Sequence, residues 1–87
     1  MTVVRVPSPL HSYTSGKGTV NATGATLAEI LADLDRQFPG FRFRVVDEQD
    51  RIRSTILFYV GGKVTRSILT LIGAADEVQI IAALSGG

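Results

Sequence analysis

The chain has no cysteine, which removes disulfides, thiolate metal sites and a thiol nucleophile of its own. It has one histidine, His11, with no carboxylate close by in sequence. Neither a metal set nor an oriented general base can be built on it, and a solvated loop side chain is expected. Charge of one sign is missing as well: nine Lys and Arg against eight Asp and Glu leave a net charge of +1. That balance offers no broad field for nucleic acid or an acidic membrane. The longest apolar run in the middle, Ile56 to Val60, is too short to span a bilayer, and the N-terminus lacks a signal-like apolar segment. The expectation is a cytoplasmic protein without cofactor, with no nucleic-acid and no membrane partner.

What is present is globular. Eighty-seven residues, 45% hydrophobic and 20% charged, predict one small domain over 1–87. Thr2 to Val6 is β-branched and closes at Pro7, a first strand. The Pro-, Ser- and Gly-rich stretch from Ser8 to Gly18 reads as the turn of a hairpin whose second arm is Thr19 to Ala22. Thr26 and Glu29 have capping-box spacing, and Leu27, Ile30, Leu31, Leu34 and Phe38 make one helical stripe, so a helix is predicted from Thr26 to Phe38, ended by Pro39-Gly40. Phe41 to Val46 alternates with strand period, aromatics inward and arginines outward, before a polar turn at Asp47 to Asp50. Ile52 to Val60 reads as a long strand, Gly61-Gly62 as a two-residue hairpin, and Lys63 to Thr65 as its return. Ser67 to Gly73 is predicted to be a crossover with one helical turn. Asp76-Glu77 then opens a last strand with Val78, Ile80 and Ala82 on one face. The sum is α+β, one main helix packed across one face of a mixed sheet.

Segments that suggest chemistry dissolve on inspection. Ser15-Gly16-Lys17-Gly18-Thr19 looks like part of a phosphate loop, but His11 stands where the pattern needs glycine, and a strand rather than a helix follows. Arg42, Arg44, Arg51 and Arg53 interleave with Phe41 and Phe43 as in some nucleic-acid binders. Alternation accounts for them, with Asp47, Glu48 and Asp50 as neutralising neighbours. Asp33 and Asp35 are two apart on a helix and do not share a face. The chain lacks an enzyme's equipment.

The end of the sequence is different. Leu84-Ser85-Gly86-Gly87 loses its side chains over the last two residues. A flexible tail over 84–87 is expected, because glycine costs most to order, with Gly87 presenting a carboxylate on an arm thin enough for a narrow channel. In order along the chain come a Val-rich first strand, Leu10-His11-Ser12-Tyr13-Thr14-Ser15-Gly16 in the first loop, and Gly24-Ala25-Thr26-Leu27 opening a helix that ends Phe38-Pro39-Gly40. The strand Ile56 to Val60 and Asp76-Glu77-Val78-Gln79-Ile80 running to Gly86-Gly87 complete the series. With these features the sequence resembles the ubiquitin-like sulfur carrier proteins of the MoaD/ThiS family, the first loop looking most like the cysteine-biosynthetic and siderophore-pathway carriers. It departs from them at Ala82, where proline is usual, at Gly61-Gly62, where the turn is usually acidic or holds asparagine, and at Ala75-Asp76, where Gly-Asp is usual.

The resemblance implies a ubiquitin-like β-grasp fold and a carrier rather than an enzyme. It also implies two partners, an E1-like adenylating and sulfur-transfer enzyme and a downstream sulfur-accepting enzyme. Gly86 and Gly87 would form the adenylation and thiocarboxylate site. If Val78, Ile80, Ile56, Phe58 and Val60 face the helix, then Leu57, Tyr59 and Ile81 are left on the open face, with Leu84 at the root of the tail, and these four are the candidate partner-binding residues. Two related readings stay open at this stage: the small subunit of molybdopterin synthase, and a protein modifier conjugated through Gly87.

Overall fold

Alternation fixes the sheet. In β3 (Ile56–Val60) residues 56, 58 and 60 are buried and Leu57 and Tyr59 are half-buried. In β5 (Val78–Ala82) Val78 and Ile80 are buried between exposed Gln79 and half-buried Ile81. The computed structural model describes residues 1–82. The other strands are β1 (Thr2–Arg5), β2 (Thr19–Ala22) and β4 (Lys63–Thr65), and the sheet order is β2-β1-β5-β3-β4. β1 and β5 run parallel, and every other pairing is antiparallel. The last strand in sequence is thus central in space, held by backbone hydrogen bonds on both sides.

The main helix α1 (Leu27–Gln37) buries Leu27, Ile30, Leu31 and Leu34 in one core with Val4, Phe58, Val78 and Ile80. Its first turn is satisfied from two directions. Thr26 Oγ1 accepts from the Glu29 amide at 3.2 Å, and Glu29 Oε1 accepts in return from the Ala25 amide at 2.8 Å, one residue earlier than the usual capping box. The Leu27 and Ala28 amides donate to the carbonyls of Thr70 and Ile68 at 2.9 and 2.7 Å. The segment between β4 and β5 makes a single hydrogen-bonded turn where one helical turn was predicted, the Thr70 amide donating to the Ser67 carbonyl at 3.3 Å, and it turns again where the Asp76 amide donates to the Gly73 carbonyl at 3.1 Å. Between those turns it lies as a strap across the helix start, bridging at Leu71 to Thr26.

Three predictions are corrected. Phe41 to Val46 is not a strand: Phe41–Val45 forms a short helix, α2, with Phe41 and Val45 buried four apart and Phe43 52% exposed. Asp35 Oδ1 accepts from the Gly40 and Arg42 amides, each at 3.1 Å, and Gly40 turns in the left-handed region at φ 93°, so the chain enters α2 already capped. The strand predicted from Ile52 begins only at Ile56, because Ile52 bridges to Val46 and the Arg53 amide donates to the Val45 carbonyl. His11 is not a free loop side chain. It lies in a 3-10 helix over Ser8–Tyr13, half-buried, with Nε2 2.9 Å from the Val6 carbonyl.

Two carboxylates brace the helical layer from outside. Asp33 sits below the usual carboxylate range, first through its hydrogen bond with Arg36 and then through the Thr23 amide. Asp47 is lowered chiefly by the Arg51 amide, with the Gln49 amide adding to it. Both favour the folded state when ionised, so their contribution is complete above the ordinary value of 3.8 and is lost as pH falls through the lowered folded values. Urea midpoints are expected to decline below about pH 4, and Asp33→Asn with Asp47→Asn should give a flatter acid limb and a lower plateau at pH 7. An unchanged limb would remove these two carboxylates from the acid response.

Candidate functional site

Helices cover one face of the sheet and leave the other open. Register decides what gathers there, because residues directly opposite each other in an antiparallel pair point the same way. Leu57 stands opposite Ile81, and Tyr59 stands opposite Gln79 on one side and Val64 on the other. The three described residues predicted for this face are thus brought together: Leu57 and Ile81 as a cross-strand pair, and Tyr59 two residues along. Leu84, Gly86 and Gly87 lie outside the described residues.

Val64 is a residue the sequence reading missed. It is 48% exposed and extends the apolar row beyond Tyr59. The signal was present, since a two-residue Gly61-Gly62 turn fixes Val60 against Lys63 and so places Val64 against Tyr59. Leu69 and Leu71 in the strap are also highly exposed. Past β5, the open face becomes polar: Arg5 pairs in register with Gln79, and its Nε reaches Glu77 Oε1 at 3.0 Å.

The last described residue is held on both counts: Ala82 pairs with Ile56 and packs against the core, beside the Leu57–Ile81 pair. A groove lined by Arg5, Pro7, Pro9, Gln79 and Ile81 lies on one side of that point, and a larger cleft beginning at Ile56 and Leu57 lies on the other. The hairpin beyond is braced by Asp76, whose Oδ2 accepts from the Gly73 amide at 2.8 Å and whose carboxylate packs against Gly61. What this face offers is contact area, aliphatic side chains and one phenol, with no nucleophile beside a base. Among the described residues no group of three or more His, Asp or Glu is placed to hold a metal ion, and no helix is long and apolar enough to cross a membrane.

The arginines flagged in the sequence are engaged within the protein. The Arg53 guanidinium lies 4.6 Å from the Phe43 ring centroid with Nε donating to the Phe43 carbonyl, Arg44 lies 5.4 Å from the Tyr13 centroid, and Arg42 pairs with Asp50 at 2.5 Å.

Comparison with known proteins agrees with the geometry. The ThiS family matches residues 4–87. The sulfur carrier protein CysO of Mycobacterium tuberculosis is 29% identical over 89 residues, covering 97% of this chain and 96% of that one. Among solved structures, the Amycolatopsis orientalis BexX/CysO complex contains a chain that matches with a TM-score of 0.91 at 28% identity, over 100% of both chains. SAMP1 from Haloferax volcanii matches with a TM-score of 0.78 at 22% identity, over 99% of this chain and 98% of that one, a likeness of fold.

Proposed function

Since the chain belongs to the ThiS family, we propose that it is a sulfur carrier whose Gly87 carboxylate is adenylated by an E1-like enzyme and then converted to a thiocarboxylate. The family match carries the reading, because it runs from β1 through Gly86-Gly87. The fold supports it by holding β5 in the middle of the sheet, so that force applied to the tail is borne by two neighbouring strands. A carboxylate is a poor electrophile. Attack on ATP forms an acyl adenylate and releases pyrophosphate; a sulfur nucleophile then displaces AMP, leaving sulfur on the acyl carbon. The catalytic groups belong to the partner, and Gly87 is its substrate. A second enzyme takes the sulfur in a biosynthetic reaction, and the exchange is placed in the cytoplasm.

In this proposal the activating enzyme docks on the open face through Leu57, Tyr59 and Ile81, extended by Val64, with Leu84 at the tail root and Gly86 and Gly87 entering its channel. Intact mass spectrometry after incubation with the cognate activating enzyme, ATP and a sulfide source tests it. The expected result is the shift for one oxygen replaced by sulfur, on the peptide ending at Gly87; no shift with a competent enzyme overturns the reading. Gly87→Ala is expected to keep the thermal midpoint but lower adenylation about 100-fold, since a Cβ at the reacting residue displaces the acyl group in a channel shaped for glycine. Equal pyrophosphate exchange by parent and variant would show that Gly87 is not the reacting residue.

A further inference from the structure

The cleft beside the tail root has a composition that the docking of an apolar face does not explain. It is about 490 Å³ in volume and runs from residues 50–54 to residues 65–69, with Ile56 and Leu57 between. Its apolar lining includes Ile52, Ile68 and Leu69, and Arg51, Arg53 and Arg66 line it as well. Three arginines thus border one cleft in a chain whose net charge is only +1. The one carboxylate in the lining, Asp50, is turned to Arg42. Arg53 stacks on the Phe43 ring and uses its Nε on the Phe43 carbonyl, Arg51 is shared between Asp47 at 3.4 Å and Gln49 Oε1, and among the described residues Arg66 forms no ion pair. Guanidinium groups over apolar surface are suited to carboxylates, which they meet with two parallel hydrogen bonds where water is partly excluded.

We infer that this cleft receives an acidic segment of the adenylating enzyme, a stretch carrying carboxylates flanked by aliphatic side chains. The inference rests on the carrier reading for the identity of the partner. Three observations favour a protein segment over other anions. Leu57 belongs to both the cleft and the open face, so a protein that covers one is brought over the other. A small anion would leave the apolar lining unused. A nucleic acid would need the positive surface to continue, whereas Asp50 stands in the lining and Asp47 pairs with Arg51. The chemistry also suits the task, because pairs placed beside Ala82 orient the tail root, while contacts on the open face only hold the sheet.

The test has two arms. With the cognate adenylating enzyme, Arg51→Glu combined with Arg66→Glu is expected to weaken binding about tenfold or more at low salt and to flatten its salt dependence, with thiocarboxylate still reaching completion at saturating enzyme. Unchanged affinity and salt dependence would overturn the inference while leaving the carrier reading intact. The second arm does not depend on that reading. An acetylated, amidated peptide of alternating Glu and Leu, added to the full chain, should shift the amide signals of residues 50–57 and 65–69. A Gln and Leu peptide should not, nor should the Glu peptide with the double variant. Equal shifts from both peptides, no shift from the Glu peptide, or the same shifts from inorganic phosphate would each overturn the proposal. So would movement of these signals on deleting 83–87 without peptide, which would assign the cleft to the chain's own terminus.

Discussion

Leu57→Asp combined with Ile81→Asp is expected to abolish capture of the activating enzyme while the protein remains folded. The two side chains are directly opposed on the open face and both are half-buried, so in the free protein each new carboxylate can reach water. Like charges directly opposite cost about 0.2–1 kcal/mol, and replacing two good strand formers by Asp costs up to about 1 kcal/mol each, so the whole fold loses at most about 3 kcal/mol. Binding suffers more. The complex loses two aliphatic anchors and must also bury two unpaired charges against an apolar surface, a penalty of several kcal/mol for each ion. A loss of even about 4 kcal/mol is roughly a thousandfold in affinity. Calorimetric titration with the enzyme, set beside a circular dichroism melt of the free variant, checks both halves; retained binding would remove the open face from the interface.

That face was legible in the sequence because strand alternation is local. Once Ile56, Phe58 and Val60 are placed inward, Leu57 and Tyr59 can point only outward, and the same step on Val78 and Ile80 leaves Ile81 outside. Helix α1 was legible for a similar reason: its cap, its stripe and its Pro-Gly stop all lie within fifteen residues. Phe41 to Val46 was not, because Phe-Arg-Phe-Arg-Val satisfies two periods at once. Alternation puts Phe41, Phe43 and Val45 together, and helical spacing puts only Phe41 and Val45 together. Asp35 settles it from the previous helix by accepting the Gly40 and Arg42 amides. With Phe43 turned outward, its ring becomes the seat for Arg53.

The remaining differences have the same origin. The strap from Ser67 to Gly73 was legible as a turn, but not as the partner of α1: two of its carbonyls serve the amides of Leu27 and Ala28, some forty residues earlier in the chain. Val64 escaped notice because its place on this face follows from the register that the Gly61-Gly62 turn imposes rather than from alternation within its own three-residue strand. The arginine cleft is assembled from the two segments that flank the β3–β4 hairpin, and it forms only once the chain folds back on itself. Local pattern thus placed the face that a partner would grip, while the features beside the tail root depend on contacts between distant segments.

Gly24→Ala should lower the thermal midpoint by about 8–16 °C. A Cβ at this position would lie 2.7 Å from Glu29 Cβ, 2.8 Å from the Ile30 amide nitrogen and 2.9 Å from the Glu29 carbonyl carbon. Two of those atoms are helix backbone, and the turn they belong to is pinned by Thr26 Oγ1 and by the strap carbonyls of Ile68 and Thr70. Relief requires moving the start of α1, and with it the strap that leads into β5. Overpacking of this kind costs about 1–3 kcal/mol, against which the smaller entropy of an unfolded Ala returns about 0.4–1 kcal/mol. With three close contacts and no flexible end to yield, the net loss falls near 2 kcal/mol, and each kcal/mol moves the midpoint of a domain this size by about 4–8 °C. Gly62→Ala provides the comparison. Gly62 has φ 84° and open space around it, so its Ala variant bears backbone strain alone, about 1 kcal/mol. Equal midpoints for the two variants would show that the helix start yields freely. The expected larger loss at Gly24 would locate the rigid joint between α1 and the strap, which sets the position of the central strand.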